Sequence, residues 1–175
     1  MLGIMATFTT YGTWLRGDRR GWVDDGRILP PDPELEAADR QRLKHPSFRF
    51  DRRQLLEVGG IVGRAVATRL RAPVLALHVG TWHVHIVAGV QPAEIAELVK
   101  CAKDAVRFKL LPSRPIWTAG YDKRFCFDVP SLRRRVLYVE RHNERNGGPP
   151  RPWDFITPLG VFLAATLRFE TPAHD

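Results

Sequence analysis

Residues 73–90, PVLALHVGTWHVHIVAGV, restrict the fold more than any other stretch of the chain. Two short apolar runs rich in β-branched residues, 73–79 and 82–90, flank Gly80–Thr81 and read as an antiparallel hairpin. A two-stranded hairpin is marginal alone, so this one needs further strands or helices against its apolar face. Side chains alternate along a strand, so Trp82, Val84, Ile86 and Ala88 face one way and His83, His85 and Val87 the other. Two imidazoles therefore share a face. Such a pair serves either as hydrogen-bonded core residues or as ligands, and the strand alone does not choose.

The rest of the chain supplies partners for the hairpin. IMATFTTYG (4–12) reads as a first strand, and residues 13–50 as a long loop with a short helical turn near 33–44. Leu55, Val58, Val62, Val66 and Leu70 recur at helical spacing within 52–71, although Gly59, Gly60 and Gly63 each cost about 1 kcal/mol relative to Ala. An amphipathic helix is expected from Pro92 to about Leu110, a whole or broken strand within 115–129, and a second strong helix after Pro130. Ser131 is the expected cap of that helix, which breaks at NGGPP (146–150). The resulting order, βαββαβ plus a helix, predicts an α+β fold: a ferredoxin-like antiparallel sheet with helices on one face and an added helix. Residues 1–150 form one domain in this reading. Residues 151–175 are a C-terminal tail with an apolar stretch at 159–167.

At 175 residues the chain suffices for one substantial core. Its 27 Lys and Arg against 19 Asp and Glu give a net charge of +8 and a pI near 10.2. That balance suits a polyanionic partner, and equally an Arg-rich surface with no partner at all. Cys101 and Cys126 make neither a CxxC nor a disulfide framework, so a reducing compartment is expected. No run approaches the roughly 18 apolar residues of a membrane span, and the N-terminus lacks the plan of a signal peptide. The expected location is the cytoplasm, at the nucleoid, with no membrane partner.

The helix SLRRRVLYVERHNER (131–145) adds the chemistry. At 100° per residue, Ser131, Arg134, Arg135, Arg141, His142 and Arg145 fall within roughly 60° of Tyr138. Leu132, Val136 and Val139 lie opposite as a buried stripe. An exposed Tyr beside Arg is often only a ring stacked on guanidinium, but His142, one turn on at i+4, shares its face. Phosphodiester cleavage needs a Lewis acid, an in-line nucleophile and cations on the flanking backbone. His83 and His85 could supply two imidazoles, His142 a third and Tyr138 the nucleophile, provided the helix packs against the strand. Three neutral imidazoles suit Mn, Co, Ni or Zn better than Mg.

The His83-Val84-His85 strand, followed by Tyr138 on a helix with a polar residue at i+4, resembles the single-tyrosine HUH endonucleases. The likeness is greatest to the REP-associated tyrosine transposases and relatives from small insertion sequences, and runs from about residue 5 to 146. TYGTWLRGDRRGWVD (10–24) also resembles that family's N-terminal segment. The resemblance implies a metal-dependent single-stranded DNA nickase and strand transferase. His83, His85 and His142 would then hold a divalent ion such as Mg or Mn. Tyr138 would form a 5′-phosphotyrosine adduct, and single-stranded or hairpin DNA would be the partner, with a homodimer as one arrangement of the family. Three departures stand out: His142 where Asn or Gln is usual, Gly80-Thr81-Trp82 where Pro-Asn often precedes the histidines, and HNERNGG at the helix end.

Other HxH chemistries fit less well. A histidine-triad hydrolase needs a third alternate His, where this chain has Val87, and 175 residues are too few for an amidohydrolase barrel. The competing reading is a non-catalytic binder of single-stranded or hairpin DNA, with aromatics stacking bases and arginines gripping phosphates. Trp14, Arg16, Arg19, Arg20 and Trp22 in the first loop, with Arg134, Arg135, Arg141 and Arg145, serve either reading as DNA-binding residues. Tyr138 separates the two, since a binder needs no nucleophile.

Overall fold

Four strands, β1 (Gly3–Thr9), β4 (Val74–Val79), β5 (His83–Ala88) and β6 (Asp122–Cys126), form one antiparallel sheet in the order β4-β5-β1-β6. The computed structural model describes residues 1–24, 27–91 and 94–167. The 13–50 segment contributes a small hairpin, β2 (Trp22–Asp24) with β3 (Arg27–Leu29), and helix α1 (Pro33–Gln41). Helices α2 (Leu55–Arg69), α3 (Ile95–Leu110), α4 (Val129–Arg145) and α5 (Leu159–Leu167) complete the chain. This is the α+β arrangement expected from the βαββαβ order.

Two apolar layers hold the sheet. On one face Val58, Val62 and Val66 of α2 and Leu98, Val99 and Val106 of α3 pack against Ile4, Ala6, Phe8, Leu77, Val84 and Ile86. On the other, Leu132, Val136 and Val139 of α4 meet Met5, Leu75, Ala76, Val87 and Cys126, with Leu159, Phe162 and Leu163 of α5 at the margin. The added helix thus lies on the face that carries His83 and His85. The packing meets the condition set by the sequence, that the helix bearing Tyr138 lie against the strand bearing the two histidines.

Several local expectations are corrected. The first strand ends at Thr9, and Gly12, at φ +68°, turns the chain. The helical turn expected near 33–44 is present as α1, but the 13–50 loop also holds a small hairpin that was not expected, whose three-residue strands are too short to leave a periodic signal. The cap of α4 is Asp128, whose carboxylate accepts from Ser131 N at 2.6 Å, while Ser131 Oγ accepts from Asp128 N. The helix therefore begins at Val129, with Pro130 in its first turn. The region 115–129 is a strand only from Asp122 to Cys126, and Trp117 makes an isolated bridge to Thr10. The expected start of α3 at Pro92, and the last eight residues of the tail, lie outside the described residues.

Residues 150–157 strap the sheet edge. Thr157 N donates to Val74 O at 2.8 Å beside a parallel bridge between Ile156 and Val74, so the outer side of β4 is partly paired. Trp153 and Phe155 lie on α2, and Trp153 Nε1 donates to Leu56 O at 3.0 Å. A β-carbon at Gly59 or Gly63 would come within 2.0 Å of the Trp153 or Phe155 ring. The glycines that weaken α2 as a helix are what let the strap seat. Among the described residues no helix is long and apolar enough to cross a membrane.

Candidate active site

Four imidazoles converge between the sheet and α4. β5 presents His83 and His85 on one face, and the β4–β5 register sets His78 directly opposite His85. The rings of His83 and His85 are 4.6 Å apart, and that of His142 on α4 is 5.1 Å from both His78 and His85. His78 is 2% exposed and His83 and His85 are each 8% exposed, so three of the four are shut away from water. Ring nitrogens of His78, His83 and His142 all lie within 4.8 Å of one another. Tyr138, 41% exposed, caps the group, its ring edge-on to His85 at 5.5 Å and to His142 at 4.7 Å.

The cluster is uncharged. Burial, aided by the neighbouring imidazoles, pushes His83 down to about 3 and His85 to about 2. Burial also lowers His78, against the opposing effect of the hydrogen bond that its Nδ1–H donates to Asn143 Oδ1, and lowers His142, where Arg145 adds to the effect. Neutral imidazoles are the form that binds metal. Two observations show that the cluster suits a cation. His83 Nδ1 is buried with no hydrogen-bond partner. Gly80 leaves space beside it: a β-carbon there would lie 3.1 Å from His83 Nδ1 and 3.3 Å from His78 Nε2. Three close histidines with an orphaned nitrogen could hold a divalent ion. Their identity alone does not select which.

The arginines on α4 divide by position. Arg134, Arg141 and Arg145 are exposed, and Arg135 is half-buried. Arg145 joins Arg52, Trp82, His78, His83 and His142 around a cavity of about 390 Å³ over the cluster. The first loop reaches the site at Trp82, against which Trp14 packs edge-on at 5.7 Å and on which Arg20 lies. The Arg20 guanidinium lies over the rings of both Trp14 (4.8 Å) and Trp82 (4.3 Å), is forked onto Asp18, and donates to Thr13 O. Trp82 in turn packs on His83 at 4.1 Å. Arg16 is bound by both oxygens of Asp39, and Trp22 Nε1 donates to Pro30 O, so these two side chains brace the 13–50 segment itself. Arg19 is exposed.

His78, Asn143, Trp82 and Arg52 were not among the residues expected at the site. His78 was legible in principle. Any register pairing it with an odd-numbered residue of the HxH run puts it on the same face. Asn143 adjoins His142 on the helix, but its role depends on what α4 packs against. Arg52 sits in a turn with no periodic signal, and only the tertiary fold brings it over the cluster.

No protein-family model matches the chain, and no curated protein matches it. Among solved structures, the chain is similar to a protein described as "putative transposase" from Deinococcus radiodurans R1, at 17% identity and a TM-score of 0.41, over 81% of this chain and 90% of that one.

Proposed function

We propose that the protein is a metal-dependent single-stranded DNA endonuclease and strand transferase that works through a tyrosine adduct. The observation that carries this reading is the half-exposed Tyr138, set against a buried, uncharged cluster of imidazoles and flanked by exposed arginines on its own helix. The histidine cluster would hold a divalent ion, which supplies a Lewis acid for the phosphoryl oxygen. Tyr138 Oη attacks phosphorus and loses its proton to water. The P–O3′ bond breaks, and the departing oxygen takes up a proton to leave a free 3′-OH. The 5′ side stays joined to Tyr138 as a phosphodiester, so attack by another 3′-OH reseals a strand with no external energy source. Arg141 and Arg145 hold the flanking backbone, and the buried walls keep the imidazoles neutral.

The test uses labelled single-stranded hairpin oligonucleotides, drawn from repeats flanking the gene, with Mg²⁺ or Mn²⁺. The expected result is an adduct that survives denaturant and disappears with EDTA or in Tyr138→Phe. DNA affinity should stay near wild type in that variant, because the phenol oxygen contributes to the transition state rather than to binding. Tight binding with no adduct under any metal would replace this reading with the non-catalytic DNA binder.

A further inference from the structure

Three large aromatic side chains stand exposed within residues 121–127: Tyr121 at 36%, Phe125 at 38% and Phe127 at 72%. Phe125 lies in β6 and the other two flank that strand, and the rings of Phe125 and Phe127 are 6.0 Å apart. β6 ends the strand order β4-β5-β1-β6, and among the described residues no strand or bridge pairs its outer side. Grouped apolar side chains left on a surface mark an interaction site, and a bare strand edge needs an occupant or a guard. The register sorts the side chains of this edge. Phe125 and Lys123 oppose Ile4 and Ala6 of β1, on the face of α2 and α3, whereas Arg124 opposes Met5, on the face of α4. Lys123 Nζ lies 5.8 Å from the centre of the Phe125 ring. On the α4 side, burial pushes the Cys126 thiol up, and Arg135 and Arg134 are close enough to oppose that rise. The nearby carboxylates are already engaged, Asp122 with Arg124 Nε at 3.0 Å and Asp128 as the cap of α4. One side of the edge is thus aromatic and the other carries guanidiniums.

We propose that this edge is a track for single-stranded DNA that leads to Tyr138, with Tyr121, Phe125 and Phe127 stacking bases and Arg124 and Arg134 meeting phosphates. The assignment rests on the DNA-processing reading for its partner and adds a surface outside the histidine site. A single strand has unlike sides, flat bases and a charged backbone, and aromatic platforms beside cations bind it without reading sequence. The path is continuous. Only Phe127 and Asp128 separate β6 from α4, and Tyr138 lies about 14 Å along that helix from Val129. The exposed Arg134 is one turn before Tyr138 at i−4 and shares its face. A second copy of the chain is the competing occupant of a bare edge. Antiparallel pairing of two β6 strands about Arg124, the middle residue, would set that guanidinium against its own copy, and like charges directly opposite destabilise a strand pair.

The test is photocrosslinking of the full chain, in EDTA so that no strand is cut, to single-stranded oligothymidine carrying 5-iododeoxyuridine, with the attached residue identified by mass spectrometry. Crosslinks are expected within residues 121–127. By fluorescence anisotropy, Phe125→Ala and Phe127→Ala should each weaken binding roughly tenfold, and Phe127→Trp, which keeps a stacking ring, should retain it. Phe108→Ala, which removes a similarly exposed ring from α3, should leave binding unchanged. Arg134→Ala should reduce the slope of log affinity against log salt by about 0.7. Crosslinks confined to other residues, with wild-type affinity in both phenylalanine variants, would overturn the track and leave the tyrosine chemistry untouched. A DNA-free dimer in sedimentation that Phe127→Ala dissociates would assign the edge to a second copy instead. Crosslinks through β6 with no tyrosine adduct under any metal would keep the track and remove the strand transferase. Absence of any affinity for single-stranded DNA in the wild-type protein would overturn both.

Discussion

His83 and His85 are each buried beside other imidazoles, and that has a consequence for stability apart from any catalysis. In the folded chain they stay neutral down to about pH 3 and about pH 2, while in the unfolded chain they protonate near the ordinary value of 6.5. Below pH 6.5 the unfolded state therefore binds more protons, and stability falls with acidification toward the folded values. Each such group contributes a slope of about 1.4 kcal/mol per pH unit inside that window. The melting temperature of the metal-free protein should hold steady above pH 6.5 and drop steadily from there to pH 4.5. The drop should be shallower in His85→Gln. A flat profile across the window would mean that the imidazoles are solvated. At the same scale, saturating Co²⁺ at pH 7 should raise the melting temperature, because an ion that binds only the folded cluster stabilises it.

Helix α2 tests how an element's own preference yields to its neighbours. Gly60 has only the Trp153 indole nitrogen, at 4.0 Å, near the place a β-carbon would occupy, whereas at Gly63 the Phe155 ring lies at 2.0 Å. Gly60→Ala should therefore stabilise the protein by up to about 1 kcal/mol through helix propensity. Gly63→Ala should destabilise it by about 1–3 kcal/mol, because overpacking against the strap outweighs the same gain. Urea midpoints at constant slope measure both. Equal effects would mean that the strap does not rest on α2. The cap of α4 gives a second check: Asp128→Ala removes the acceptor for Ser131 N and should cost about 1 kcal/mol, whereas Ser131→Ala should cost less.

The whole molecule carries a net charge of +8, with exposed arginines on the helix that bears Tyr138. If single-stranded DNA is the partner, affinity should fall linearly on a log–log plot against salt, and Arg145→Ala should reduce the slope by about 0.7 by removing one phosphate contact. An unchanged slope would place the DNA away from the cavity that Arg145 lines. Much of this architecture was legible in the chain: short apolar runs and turn residues marked the sheet strands, helical spacing marked the three long helices, and the wheel through Tyr138 separated its wet face from Leu132, Val136 and Val139. The alternation of 82–88 put His83 and His85 on one face before any fold was known, because side-chain parity along a strand is local geometry. What the residues alone left undecided depends on contacts distant in sequence. Arg20 lies on Trp82, Arg52 comes over the histidines, Trp153 and Phe155 fill the space left by two glycines, and Asn143 closes on His78 from 65 positions away. Local periodicity says which side of an element is buried. Which nitrogen then faces which oxygen is decided only when the elements pack, because a hydrogen bond depends on atomic positions that no single element contains.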